Sequence, residues 1–101
     1  MANQVCRSSG VLGSSGIVNS EQSLLISIHA NLIVVSNALV TVKVFDGTSA
    51  SGTEVARITH SVTGHYNIEY DMHGVLCRNG IFIEIDESAG SSTAEVSVEF
   101  A

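Results

Sequence analysis

Hydrophobic and polar residues alternate with a period of two along most of the chain, and the alternation is cleanest from Leu39 to Asp46. Val40, Val42 and Val44 are interleaved with Thr41, Lys43 and Phe45, which places three valines on one face of an extended segment and the mixed set on the other. This stretch predicts a central strand. It stops at Asp46-Gly47, where glycine accepts a positive φ and the aspartate can bond its own downstream backbone. The small residues from Thr48 to Gly52 lengthen the turn, and a return strand is predicted from Glu54 to Thr59. Upstream, Leu24, Ile26 and Ile28 alternate with Leu25, Ser27 and His29 and predict a second core strand. The apolar run Leu32-Ile33-Val34-Val35 has no clear alternation and reads either as that strand continuing past a bulge or as a buried connection.

Downstream, Tyr66, Ile68 and Tyr70 share one face of a strand that Met72-His73-Gly74 is expected to close. Val75 to Cys77 is a short extended piece, and Arg78-Asn79-Gly80 is a turn. In the next strand Ile81, Ile83 and Ile85 face inward, while Phe82, Glu84 and Asp86 face out. A Gly/Ser loop spans Glu87 to Ser92. In the last strand Ala94, Val96, Val98 and Phe100 alternate with Thr93, Glu95, Ser97 and Glu99. Seven or eight short strands with no segment of helical period predict an all-β fold, a single antiparallel β-sandwich of jelly-roll-like form.

Residues 1–17 are rich in Ser and Gly and stand ahead of the sandwich domain at 18–101. They read in two ways. One is an arm that lies mobile until Val5, Val11 and Leu12 add an extended strand to a neighbouring subunit; the other is the first edge strand of the chain's own sandwich.

A chain of 101 residues is one domain, and at this length roughly two-thirds of the unfolded surface is buried on folding. Four Lys and Arg against ten Asp and Glu leave a net charge of −6. A surface of that sign repels phosphate backbones, so no nucleic-acid partner is expected. Carboxylates such as Glu84, Glu95 and Glu99 suit a basic protein surface instead. The start of the chain shows no basic segment leading into an apolar one, and no apolar run reaches the roughly 18 residues that a span requires. The expectation is a soluble protein made in a cytoplasm, without a membrane partner, whose Cys6 and Cys77 are free and partly buried.

Candidate chemistry is thin. His60, His65, His73 and Cys77 are metal-ligating types, but their spacing, His-x4-His-x7-His-x3-Cys, contains no paired knuckle, and no metal or other cofactor is expected. The carboxylates sit at outward positions of strands, no serine occupies G-x-S-x-G, and the glycines fall in turns, so the residues carry no catalytic set. Tyr66, Tyr70 and Phe45 are the aromatic positions that a sugar-binding sandwich would use, and there is no Trp.

The strand followed by DGTSASGT, the short strand ending in Ile58-Thr59, the segment Gly80-Ile81-Phe82-Ile83 and the terminal Ala94 to Phe100 together resemble a group of small virion proteins of tailed phages. The likeness runs from about Val18 to Ala101. It implies a β-sandwich of about this size and a non-enzymatic structural role. Such proteins are capsid decoration (cement or knob) proteins on the outside of the head, or small receptor- or carbohydrate-binding parts of tails and fibres. The partners implied are the major capsid protein and further copies of the chain, as a homo-oligomer on the particle. Val5, Val11, Leu12, Glu84, Glu95 and Glu99 are the positions expected to meet them.

Overall fold

A computed structural model of the chain describes residues 6–87 and 91–101. Eight strands follow in order: β1 (Arg7–Ser8), β2 (Gly16–Asn19), β3 (Ser23–Val34), β4 (Val40–Asp46), β5 (Thr53–His60), β6 (Gly64–Cys77), β7 (Ile81–Glu87) and β8 (Thr93–Phe100). They form two four-stranded sheets, ordered β1-β8-β3-β6 and β2-β7-β4-β5. All pairings are antiparallel, and β1 pairs with β8, β2 with β7, β3 with β6 and β4 with β5. That is the connectivity of one long antiparallel ribbon rolled into two layers, a jelly roll.

The valines of β4 lie at the centre of the second sheet, between β7 and β5, and Val40, Val42 and Val44 are at most 1% exposed. The interior is completed by Ile58, Ile81 and Ile83 from the same sheet and by Leu25, Ile28, Leu32, Val34, Val96 and Val98 from the other. Phe45 behaves differently. It faces away from this core with the outward set, as its position in the alternation requires, yet it is only 6% exposed. It stands opposite Phe82 on β7, the two rings tilted at a centroid distance of 6.3 Å.

Two bulges reset the periodicity of the first sheet. Between β3 and β8, Leu25 is opposite Phe100 and Ser27 opposite Glu99, so Ile26 is an extra residue on β3. Core positions are therefore Ser23 and Leu25 before the bulge and Ile28, Ala30, Leu32 and Val34 after it. Leu24 and Ile26 do not share the core face with Ile28, as unbroken alternation would require. The run at 32–35 is resolved as well, because β3 continues without a break to Val34. On β6, Met72-His73-Gly74 does not close the strand. These three residues stand opposite the single Ile26, and pairing resumes from Val75 to Cys77. His73 takes φ 55 and Gly74 φ 81, and the Asp71 carboxylate holds the kink by accepting the His73 N–H at 3.0 Å.

Residues 6–19 run along the edges of both sheets. Arg7 and Ser8 pair with Phe100 and Glu99, and Ser9 N–H donates to Val98 O at 2.9 Å. Val98 N–H in turn donates to Ser9 Oγ at 2.9 Å. Leu12 exchanges both backbone hydrogen bonds with Val96, at 2.7 and 2.9 Å. The chain then crosses to the second sheet, where β2 pairs with β7.

Both cysteines are free, but their environments differ: Cys6 is exposed and Cys77 fully buried. Burial pushes the Cys77 thiol up, and the nearby Asp46 carboxylate adds to the shift. A thiol reagent such as Ellman's is therefore expected to titrate one cysteine rapidly in the native protein and the second only as the chain unfolds in denaturant. Equal, rapid labelling of both without denaturant would place Cys77 outside the core.

Candidate docking face

Alternation and register together build one charged surface, the outer face of the β1-β8-β3-β6 sheet. Outward positions are Glu95, Ser97 and Glu99 on β8, Ser27, His29 and Asn31 on β3, and Asn67, Glu69 and Asp71 on β6. In the ladder His29 lies directly between Glu69 and Ser97, and Ser27 between Asp71 and Glu99. His29 Nδ1 is 3.3 Å from Glu69 Oε2, and its Nε2 is 3.9 Å from Glu99 Oε1. The Ser27 hydroxyl donates to Glu99 Oε1 at 2.6 Å.

A shallow trough of about 510 Å³ runs over this face, lined by Val11, His29, Asn31, Asn67, Glu69, Glu95 and Ser97 among others. A smaller depression of about 360 Å³ adjoins it between Ile26, Ser27, Glu69, Asp71 and Glu99. Neither is lined by Lys or Arg. Lys43 and Arg57 instead stand opposite each other on β4 and β5, on the outer face of the other sheet. There, Arg57 makes a two-point contact with Glu54, from Nε at 2.8 Å and from the second guanidinium nitrogen at 2.9 Å. This pairing lowers the Glu54 carboxyl below its ordinary value and raises Arg57. Glu54 and Glu84 of the second face thus have Arg57 and Lys43 as neighbours, while the nearest basic groups to Glu69, Asp71 and Glu99 on the first are the imidazoles of His29 and His73.

The structure brings Glu95 and Glu99 together on this surface, with Val11 at its rim, 70% exposed. Glu84 is on the opposite outer face, 3.9 Å from Lys43 Nζ, because β7 belongs to the other sheet. Leu12 is spent internally, bonded to Val96 through its backbone and packed against the core. Val5 lies outside the described residues. His29, Glu69 and Asp71 were not singled out from the sequence. Their outward phase was legible, but their convergence depends on β6 pairing with β3.

Ser27 Oγ, His29 Nε2 at 3.4 Å and Glu69 beyond Nδ1 have the order of a nucleophile, base and orienting carboxylate. The hydroxyl proton, however, is directed to Glu99 at the much shorter distance, and the backbone of β3 is paired on both sides, with β6 and with β8. The arrangement offers negative charge and hydrogen-bond acceptors to a partner. Of the metal-type residues, His60 stacks on Tyr66 at 4.0 Å, His73 sits in the β6 bulge and Cys77 is in the core. Among the described residues, no group of three or more His, Cys, Asp or Glu is arranged to hold a metal ion. Tyr66 is further tied by its hydroxyl, which donates to Val62 O at 2.7 Å, whereas Tyr70 is 38% exposed. In comparisons with known proteins, no family model and no curated protein matches the chain.

Proposed function

We propose that this chain is a non-enzymatic structural protein of a tailed-phage particle, a decoration protein that sits on the outside of the head and is made in the host cytoplasm. The observation that carries the reading is the segregation of charge across the sandwich: one outer face bears Glu69, Asp71, Glu95 and Glu99 around a trough with no Lys or Arg, and Lys43 and Arg57 are on the other. A rigid two-layer sandwich with one anionic face suits docking onto a basic patch of a shell protein, where electrostatic complementarity sets orientation and association rate. The resemblance of its turn and strand segments to phage virion proteins gives the partner its class. Jelly rolls recur in viral capsid domains, an analogy at the level of fold alone.

Co-sedimentation with undecorated capsids tests the reading. Binding is expected to weaken as salt rises from 50 to about 500 mM, since screening shortens the reach of exposed charges to a few ångströms. The double variant Glu95→Lys/Glu99→Lys should lose at least about tenfold in affinity, the equivalent of about 1.4 kcal/mol. A salt-independent association that survives the double variant would remove the acidic face from the contact. The second reading, a receptor- or carbohydrate-binding module of a tail or fibre, is favoured by the exposed ring of Tyr70. The two differ in copy number, so densitometry of purified particles against the major capsid protein separates an abundant decoration protein from a tip present in few copies.

A further inference from the structure

The geometry points to the free edge of β6 as the surface through which two copies of this chain pair, joining their first sheets into one continuous eight-stranded sheet. The inference stands on the edge itself and does not depend on the phage reading. Strand β6 ends its sheet, with β3 as its only ladder partner among the described residues. From Gly64 to Asp71 it runs opposite Ser27 to Val34 without a register break. An edge of this kind presents a row of unpaired N–H and C=O groups, and proteins normally blunt it with Lys, Pro, a bulge or brevity. The other described edges are blunted: β1 has two residues, β2 has four and a register shift, and β5 carries Arg57 and a bulge against Val44–Phe45. Residues 64–71 contain no Lys, Arg or Pro, and the β6 bulge begins only after them.

The sequence of that edge is self-complementary. An antiparallel partner related by a two-fold axis through Ile68 places His65 opposite Asp71, Tyr66 opposite Tyr70 and Asn67 opposite Glu69, each twice, with Ile68 meeting its own copy. On the outer face this sets imidazole against carboxylate and amide donor against carboxylate acceptor. On the inner face it pairs aromatic with aromatic and aliphatic with aliphatic. Moving the axis one step toward the C-terminus, to Glu69, opposes two glutamates, and moving it to Asn67 leaves Asp71 opposite Thr63, beyond the strand. The register through Ile68 therefore uses the whole flat segment with no like-charge pair, and it doubles the acidic outer face by joining two copies edge to edge.

Sedimentation velocity over a concentration series tests the pairing. The wild-type chain is expected to show a species of twice the 10.6 kDa chain mass. Asn67→Glu puts a glutamate opposite Glu69 of the other copy at both symmetry-related positions and should weaken self-association by about tenfold while leaving the melting temperature near that of the wild type, since Asn67 is exposed. Adding Glu69→Lys to Asn67→Glu restores opposite charges in this register only, and the dimer should return. A wild-type protein that stays monomeric at all concentrations overturns the proposal and leaves the edge to a strand from another protein. A dimer indifferent to Asn67→Glu, or one that Glu69→Lys fails to restore, overturns the edge or its register.

Discussion

Val42→Asp is expected to abolish cooperative folding. Val42 is 1% exposed on the central strand of its sheet, with Ile58 and Ile85 as its neighbours in the ladder on either side. A carboxylate placed there has no cation and no donor, and it must either stay charged among aliphatic groups or take up a proton at a cost of several kcal/mol. Loss of the valine packing adds to that, against a total stability of about 5–15 kcal/mol for a domain. Thr41→Asp, one residue away, points outward. It loses the 3.0 Å contact between the Thr41 and Thr59 hydroxyls and adds a negative charge opposite Asp86, an effect of about 1 kcal/mol. Thermal melts followed by circular dichroism should therefore show no cooperative transition for Val42→Asp and a shift of several degrees for Thr41→Asp. Equal melting of the two variants would mean that the faces of β4 are assigned the wrong way round.

Deletion of residues 1–12 has the second largest expected effect. It removes the edge partner of β8: the Arg7–Ser8 pairing, the hydrogen bonds between Ser9 and Val98, the reciprocal pair between Leu12 and Val96, and the Leu12 side chain packed on the core. Packing a leucine against a core contributes about 1.5–3 kcal/mol when burial is complete, and each net hydrogen bond about 1 kcal/mol. The entropy of ordering the segment offsets part of this, leaving an expected loss of several kcal/mol, a large share of the whole. It also opens β8, with its buried Val96 and Val98, as a new unpaired edge, so the truncated protein is expected to melt far below the full chain and to aggregate on heating. A truncated protein that melts normally would show that residues 7–12 contribute little to the sandwich and would return them to the role of a docking arm.

The strands most faithful to a period of two, β4, β7 and β8, are legible in the sequence apart from Glu87, which reads as the start of a loop and is the last residue of β7, opposite Val40; each has one face on the core, and the alternation of Cβ directions needs no knowledge of neighbours. Ile81 and Ile83 on one side and Glu84 on the other sit where their order along the chain places them. Simple alternation fails in β3 and β6, where bulges interrupt it. Unbroken alternation in SLLISIHA puts Leu24, Ile26 and Ile28 on one apolar face; the phase is changed by the extra residue, Ile26, that β3 inserts against β8, which turns Leu25 inward before the bulge and Ile28 inward after it. Met72-His73-Gly74 has the composition of a turn. It becomes a kink inside a 14-residue strand because the long antiparallel partner β3 supplies hydrogen bonds on both sides of it.

The charged face marks the same boundary. Alternation alone determined that Glu84, Glu95, Glu99, Glu69 and His29 project away from the core, because a charge cannot be left among valines without a partner. Which of them share a surface was decided by the fold. The rolled ribbon pairs the last strand with the third and the third with the sixth, which brings Glu99, His29 and Glu69 within about one side-chain length of one another, and it sends Glu84 with the seventh strand to the other sheet beside Lys43. A sequence specifies the direction of each side chain locally, through the geometry of its own backbone. Adjacency across a sheet depends on which distant segments close the ladder, and that is settled only when the two apolar faces meet.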